Sequence, residues 1–136
     1  MPLTTAEMQS LYTDYLKTEG YMPSLDADGD VKFKREGRSY FIAVDAEDLE
    51  FFRLVFPAFW EIESPDERRR ALAAAEVSNR KSKVAKVFIV KEYAWASIEI
   101  FVNKPEDFSG IFPRCVSALL NGVSNYVEAM RASDKS

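Results

Sequence analysis

The chain has 136 residues, with 47 % hydrophobic and 29 % charged side chains and a formal net charge of −4. These values are typical of one globular domain, and the negative charge argues against general binding to nucleic acid or to an anionic membrane. Histidine is absent and Cys115 is the single cysteine, which excludes a Ser-His or Cys-His nucleophile, an intramolecular disulfide and a cysteine metal cluster. We expect a cytoplasmic protein, since we find no signal peptide and no apolar run of about 18 residues.

The first predicted element is a helix over residues 4–19. Thr4 and Glu7 have the spacing of a capping box, and Gly20 is a natural helix terminator. An apolar stripe lies between these ends: Met8, Leu11, Tyr12, Tyr15 and Leu16. Residues 21–30 are rich in turn formers, so they are predicted to be a loop.

Three strands are predicted next. Residues 31–35 and 39–44 form a hairpin around the turn Glu36-Gly37-Arg38, and residues 45–50 form an acidic turn. Residues 51–56 are apolar and aromatic, which indicates a third strand ended by Pro57 or, as an alternative, a short helix.

The second half begins with a helix over residues 64–79, marked by the capping-box spacing of Ser64 and Glu67 and by Pro65. Residues 84–91 and 95–102 are rich in β-branched and aromatic side chains and predict two strands joined by Glu92-Tyr93-Ala94. A last helix begins near Pro105 and is interrupted or restarted around Pro113. Residues 132–136 are polar and are expected to fray.

The resulting order is α-β-β-β-α-β-β-α. Successive strands joined by short links favour an antiparallel arrangement, with the helices covering one face. We therefore predict a single α+β domain over residues 1–136, built on a five-stranded antiparallel sheet.

Several short segments in chain order carry a family resemblance. They are Glu19-Gly20-Tyr21, Glu36-Gly37, the run from Tyr40 to Asp45, Asp48 with Phe51-Phe52, Phe56-Pro57, and the Ala-rich helix that ends at Asn79. In these features the chain resembles the bacterial YbjN-like family, described as regulators of sensory transduction and similar in fold to type III secretion chaperones. The resemblance implies a chaperone-like fold that often dimerises and holds partner segments on its surface. It implies no catalytic residues.

Two acidic motifs are candidates for metal or acid–base chemistry. Residues 26–30 resemble the start of a calcium loop, but Val31 and Gly37 stand where such a loop needs Gly and Glu, so a solvated turn is favoured. A second cluster comprises Asp45, Glu47, Asp48 and Glu50, in which Asp45 and Asp48 are the first candidates for a catalytic or Mg²⁺ role. A turn between strands favours such residues in any case.

A basic stretch runs from the second helix into the next strand and comprises Arg68, Arg69, Arg70, Arg80, Lys81, Lys83 and Lys86. Three consecutive arginines point in different directions on a helix, and stacking aromatics are not interleaved among them. This pattern is typical of a solvated surface and, as a second interpretation, of a site for an acidic protein partner. Nucleic acid is not favoured.

The last two strands carry large apolar groups on both faces. Val87, Ile89, Ala96, Ile98, Ile100 and Val102 make one face, while the other mixes Phe88, Val90, Trp95 and Phe101 with Lys86 and Glu99. A sheet with one solvated face normally alternates apolar with polar residues. Either a helix covers this second face, or Phe88, Val90, Trp95 and Phe101 form a contact surface for a partner or a second copy.

Other apolar positions have structural interpretations as well. Leu72 and Ala75 on the Ala-rich helix are a candidate dimer seam. Phe56, Phe59 and Trp60 indicate a core plug or, as an alternative, a ligand pocket. Cys115 lies on the apolar stripe of the last helix and is expected to be a buried, inert thiol.

The sequence thus predicts a homodimeric, non-enzymatic protein-binding module without cofactor, metal site or catalytic residues. Its apolar sheet face would hold a partner segment. The alternatives are a small-ligand sensor with a pocket near Phe56 and Trp60, and a carboxylate enzyme that uses Asp45 and Asp48.

Overall fold

A computed structural model describes residues 2–134. It contains three α-helices and a six-stranded sheet. In chain order the elements are α1 (Thr5–Thr18), β1 (Ser24–Leu25), β2 (Val31–Arg35), β3 (Arg38–Ile42), β4 (Phe51–Glu61), α2 (Pro65–Lys81), β5 (Ala85–Val90), β6 (Tyr93–Phe101), a 3₁₀ turn (Pro105–Asp107) and α3 (Phe108–Asp134).

The strands lie in the order β1-β2-β3-β4-β6-β5, and every neighbouring pair is antiparallel. The predicted α+β class and antiparallel sheet are therefore confirmed. The predicted count of five strands is wrong, because β1 lies in the segment that we predicted to be a loop. Two residues are too short to display a strand period. They pair with β2 because the Asp26 side chain accepts the backbone N–H groups of Asp28 and Asp30, at 2.9 and 3.0 Å, and closes the intervening turn.

Strand β4 does not end at Pro57 and is not a helix. Its pairing with β6 shifts between Phe56 and Trp60, and Ala58 has a φ of 47°. These are the marks of a bulge, where a proline is tolerated because the missing N–H is not needed by the ladder. The strand therefore continues to Glu61, and Trp60 and Glu61 pair with Ala94 and Tyr93 of β6.

Turns and helix ends differ from the predictions by a few residues. The hairpins close on Glu36-Gly37 and Lys91-Glu92, so β6 begins at Tyr93. Helix α3 is continuous from Phe108 through Pro113 to Asp134, so it does not restart at Pro113 and it ends later than predicted. The tail predicted to fray is helical as far as Asp134, and the rest of it lies outside the described residues.

One hydrophobic cluster joins all three helices to one face of the sheet. Tyr12 of α1, Phe52 of β4 and Phe108 of α3 are fully buried there, and the rings of Tyr12 and Phe108 meet edge to face at 4.8 Å. The opposite sheet face carries no helix among residues 2–134. This asymmetry makes the opposite face the candidate functional site.

Helix α3 lies very close to α2 and β5 at Gly122. Its carbonyl accepts the hydroxyl of the buried Ser78 of α2 at 2.6 Å. A Cβ at this position would lie 2.7 Å from the Cβ of Ala85 in β5, which is closer than real atoms pack. The absence of a side chain at Gly122 therefore sets the spacing of α2, α3 and β5.

We predict that Gly122→Ala lowers the free energy of unfolding. Overpacking typically costs about 1–3 kcal/mol and here outweighs the gain of about 1 kcal/mol in helix propensity. Urea denaturation measures the change. Gly110→Ala in the same helix is the matched control, since a Cβ there meets nothing within 4 Å, and it should stabilise the protein. Equal stabilisation by both substitutions would contradict the packing argument.

Candidate functional site

The sheet face turned away from the helices is the candidate interaction surface, and we call it the open face. It is formed mainly by β4, β5 and β6, whose register places side chains from different strands directly opposite one another. Those pairs are Phe51 with Phe101, Arg53 with Glu99, Phe88 with Trp95, and Val90 with Tyr93. The predicted assignment of residues to the two faces of these strands agrees with this register.

One end of the open face is an aromatic patch on the β5–β6 hairpin. The rings of Phe88 and Trp95 lie 6.4 Å apart, and both side chains are half-buried. Val90 and Tyr93 beside them are exposed. Lys86 places its ammonium 5.7 Å from the Phe88 ring, a cation–π distance. Three of the four predicted contact residues, Phe88, Val90 and Trp95, therefore share one partly accessible patch.

The other end of the open face is formed by Phe101 and Phe51. Phe101 is 82 % exposed, the largest exposure of any aromatic side chain described. Its ring lies 6.1 Å from that of Phe51, which is half-buried. Phe101 is thus the predicted contact residue that the chain itself covers least.

The centre of the open face is an ion-pair ladder around Glu99. Its carboxylate lies 3.1 Å from the Lys86 ammonium and 3.5 Å from the Arg53 guanidinium. The Ser97 hydroxyl donates to the same carboxylate at 2.6 Å. Burial raises the pKa of Glu99, but the hydrogen bonds from Ser97 and Lys86 and the charges of Lys86 and Arg53 outweigh it, so this pKa lies below its ordinary value.

The ladder covers part of the face that the helices leave bare. Ser97 and Val55 are fully buried although they point away from the helices. Lys86 lies directly opposite Ser97, and Arg53 stands two residues from Val55 on the same face of β4. Long cationic side chains commonly cover apolar surface with their aliphatic stems. The apolar surface left over is therefore concentrated at the two aromatic ends.

Sequence reasoning missed several members of the open face. From the sequence, Phe51 and Arg53 are predicted to lie on a strand but are assigned to neither of its faces, and Tyr93 is predicted to lie in a turn. Their positions opposite Phe101, Glu99 and Val90 follow from cross-strand register. The register of β4 against β6 joins residues far apart in the chain and leaves no local signal in the sequence, whereas the pairing of Val90 with Tyr93 follows from the two-residue turn Lys91-Glu92.

The candidate dimer seam is divided between surface and core. Leu72 is 53 % exposed, whereas Ala75 is buried in this chain's own core. Both line a shallow groove between α2 and the outer edge of β5, together with Phe88 and Asn79. Only Leu72 is accessible enough to take part in an interface.

The acidic candidates are occupied by their own turns. Asp45 accepts the backbone N–H of Glu47 at 3.0 Å, and Asp48 accepts that of Glu50 at 3.3 Å. Within residues 2–134, no three His, Cys, Asp or Glu side chains are grouped so that they could hold a metal ion. These carboxylates thus act as turn-stabilising groups.

Each of the three consecutive arginines contacts another group of this chain. Arg68 donates to the Lys91 carbonyl at 2.7 Å, Arg69 pairs with Asp66 at 2.7 Å, and Arg70 pairs with Asp66 at 3.5 Å. They therefore form no single basic stripe, and their contacts are structural.

Phe56, Phe59 and Trp60 pack together around the buried Tyr126. Phe59 and Trp60 meet its ring edge-on at 5.4 and 5.6 Å, and the Trp60 indole donates to Glu67 at 2.9 Å. Burial raises the pKa of Tyr126 to about 12. This geometry favours the core plug over the ligand pocket. Cys115 is likewise buried, and burial raises the pKa of its thiol.

Comparisons with protein-family models, curated proteins and solved structures find no match to this chain. The resemblance to the YbjN-like family and to type III secretion chaperones therefore stays a prediction. Among the residues described, no helix has both the length and the apolar character needed to span a membrane.

We predict that Glu99→Gln lowers the free energy of unfolding by about 1 kcal/mol at pH 7, because solvent partly screens the lost ion pairs. The folded-state pKa is depressed, so the contribution is present above the unfolded value of about 4.3 and is lost as pH falls through the folded value. Wild-type and variant stabilities should therefore converge in acid.

Urea titrations at several pH values measure this difference. Glu76→Gln is the matched control, because Glu76 pairs with Arg80 on the exposed surface of α2, and it should change stability little at any pH. A Glu99 effect that does not depend on pH would contradict the electrostatic interpretation.

Proposed function

We propose that this chain is a non-enzymatic, chaperone-like or regulatory binding module of the bacterial cytoplasm that holds a segment of a partner protein on the open face. The observation that carries the proposal is the high exposure of Phe101, together with the partly exposed aromatic patch at the far end of the same strand. Large apolar groups concentrated on one accessible surface are characteristic of interaction sites.

The chemistry of the face suggests how a partner would be held. Aromatic side chains are enriched at the centres of protein interfaces, where they supply most of the binding energy. Trp95 and Phe101 lie six residues apart on β6, which corresponds to about 20 Å along a strand. A suitable partner therefore presents two apolar anchors at that spacing, with polar groups between them that tolerate the ladder around Glu99.

The same face also suits a second copy of this chain. Two open faces related by a twofold axis would bring aromatic ends together, as an isologous interface requires. Leu72 on α2 offers the alternative seam. We therefore propose a homodimer, with the open face as the first candidate interface.

The two alternative functions have less support. Asp45 and Asp48 are engaged with the backbone of their own turn. The rings of Phe56 and Trp60 lie in a packed cluster with Tyr126. These contacts favour structural roles over a carboxylate enzyme or an aromatic ligand sensor.

We predict that Phe101→Asp abolishes capture of a stoichiometric protein partner from a lysate of the native host and leaves thermal stability nearly unchanged. A side chain that is 82 % exposed contributes little to the core, while a charge at an apolar interface is strongly unfavourable. Trp95→Lys should also weaken capture more than it weakens folding.

Met22→Asp is the matched control for this experiment, since Met22 is an exposed apolar residue outside the open face, with 91 % of its surface accessible. This variant should capture the partner normally. Normal capture by Phe101→Asp and Trp95→Lys would reject the open face as the binding site.

We predict a dimer at micromolar concentration in sedimentation velocity. Phe101→Asp should convert it to a monomer, whereas Leu72→Asp should leave it intact. The reverse result would move the seam to α2. A monomeric wild-type protein would remove the homodimer proposal without affecting the partner proposal.

A further inference from the structure

A second concave surface is a groove on the helix side of the sheet. It has a volume of about 560 Å³ and lies between the end of α2, the following loop, β6 and α3. We call it the basic groove. Its lining residues are Lys81, Lys83, Val84, Ile98, Ile100, Ile111, Arg114, Cys115, Ser117, Ala118 and Asn121.

The floor of the basic groove is apolar. Ile98 and Ile100 come from β6, and Ile111 and Ala118 come from α3. Ile98 is fully buried beneath the others, whereas Ile100, Ile111 and Ala118 are only partly covered by this chain. An apolar side chain of a ligand would therefore find a preformed, partly dry surface here.

The rim of the basic groove is positively charged. It carries Lys81, Lys83 and Arg114, and among the described residues no carboxylate lines it. None of these three cations forms an ion pair within residues 2–134, in contrast to Arg80 on the same helix, which binds Glu76. In a chain with a net charge of −4, this local excess of positive charge favours a negatively charged ligand.

A free strand edge runs beside the groove. The backbone N–H of Val87 donates to the Asn79 side chain at 2.8 Å, and the Val87 C=O accepts from the same side chain at 3.1 Å. Both backbone groups of Val87 therefore point away from β6. The backbone N–H and C=O groups of successive residues point to opposite edges of a strand. Those of the neighbouring Lys86 therefore point towards β6, where Lys86 lies opposite Ser97. The backbone groups of Ser97 therefore point towards β5, and those of Glu99, two residues further on, point to the same side of β6.

Strand β5 does not extend far enough to satisfy that side of β6. The pairing of β5 with β6 ends at Ala85 and Ile98. Val84 has a φ of 66°, and the Ala85 N–H bonds back to the Lys83 carbonyl at 2.7 Å, which makes a γ-turn. This turn ends the strand and leaves the backbone groups of Glu99 and Phe101 without a partner strand in the described part of the chain.

The γ-turn also places strain at the groove. A positive φ is unfavourable for a β-branched residue, and this type of γ-turn is rare. Val84 is 57 % exposed and lines the groove. A strained, exposed apolar residue beside an unpaired edge is a feature found at binding sites.

We propose that the basic groove binds an extended peptide segment of a partner protein in which acidic and large apolar residues stand two apart, so that both project from the same face of the added strand into the groove. The segment adds to the edge of β6 by hydrogen bonds to Glu99 and Phe101. Its apolar side chains enter between Ile100 and Ile111, and its carboxylates reach Lys83 and Arg114. The free edge favours a peptide over an anionic amphiphile, because only a peptide pairs with backbone groups in this way.

Selection from a phage library of random twelve-residue peptides on the immobilised full-length protein tests this proposal. Enriched peptides should combine acidic and large apolar residues, and their affinity, measured by fluorescence anisotropy of labelled synthetic copies, should fall with added salt. The double variant Lys83→Glu/Arg114→Glu should bind them at least tenfold more weakly. Lys17→Glu, which reverses an exposed charge on α1, should bind them as the wild type does.

Two further measurements identify the binding mode. A peptide N-methylated on alternate amides should lose affinity, and amide hydrogen exchange of Glu99 and Phe101 should slow in the complex. Trp95→Lys should bind the peptide normally, since Trp95 lies on the opposite sheet face. Circular dichroism and thermal melting establish that each variant is folded.

Several results would overturn the inference. They are selection of peptides without acidic residues, equal binding by the double variant, or binding of sodium dodecanoate in place of peptides with the same dependence on Lys83 and Arg114. Loss of peptide binding in Trp95→Lys alone would also overturn it and would instead support the open face. Conversely, failure of partner capture by the open face leaves the basic groove intact.

Discussion

The packing of α3 against one face of the sheet is the constraint on which the rest of the molecule depends. This helix buries Phe108, Leu119 and Tyr126 against the sheet, and it can lie close to α2 and β5 only because Gly122 has no side chain. With α1 and α2 on the same side, the apolar residues of that face are enclosed in one core. The opposite face is left to be covered by its own side chains or by another molecule.

The open face shows how far self-covering can go. The long side chains around Glu99 cover its centre, so that Val55 and Ser97 are buried without a helix above them. The aromatic side chains at the two ends are covered only in part, and Phe101 in particular remains in solvent. A neutralised centre with apolar ends suits recognition, because charge alignment fixes register while aromatic burial supplies affinity.

Two parts of one sheet edge differ in whether their backbone groups are already hydrogen-bonded. Along β5, the side chain of Asn79 occupies both backbone groups of Val87, which hinders pairing with another strand at that point. Beyond Ala85 this protection ends, and the edge of β6 is accompanied by cations and an apolar floor. The protected and free parts of one edge therefore lie side by side, and the free part is the one with the chemistry of a binding groove.

The sequence alone is enough to predict the α+β class, the capped starts of α1 and α2, and the two faces of β5 and β6, because caps and strand alternation are local patterns. It did not determine β1, which is too short to show a period, or the passage of β4 through Pro57, which depends on a bulge opposite β6. Phe51 joins the open face, and Lys83 and Arg114 share a groove, only through the tertiary arrangement of strands and helices. Residues so far apart in the chain are brought together by strand register and helix packing, and neither is encoded in any short segment.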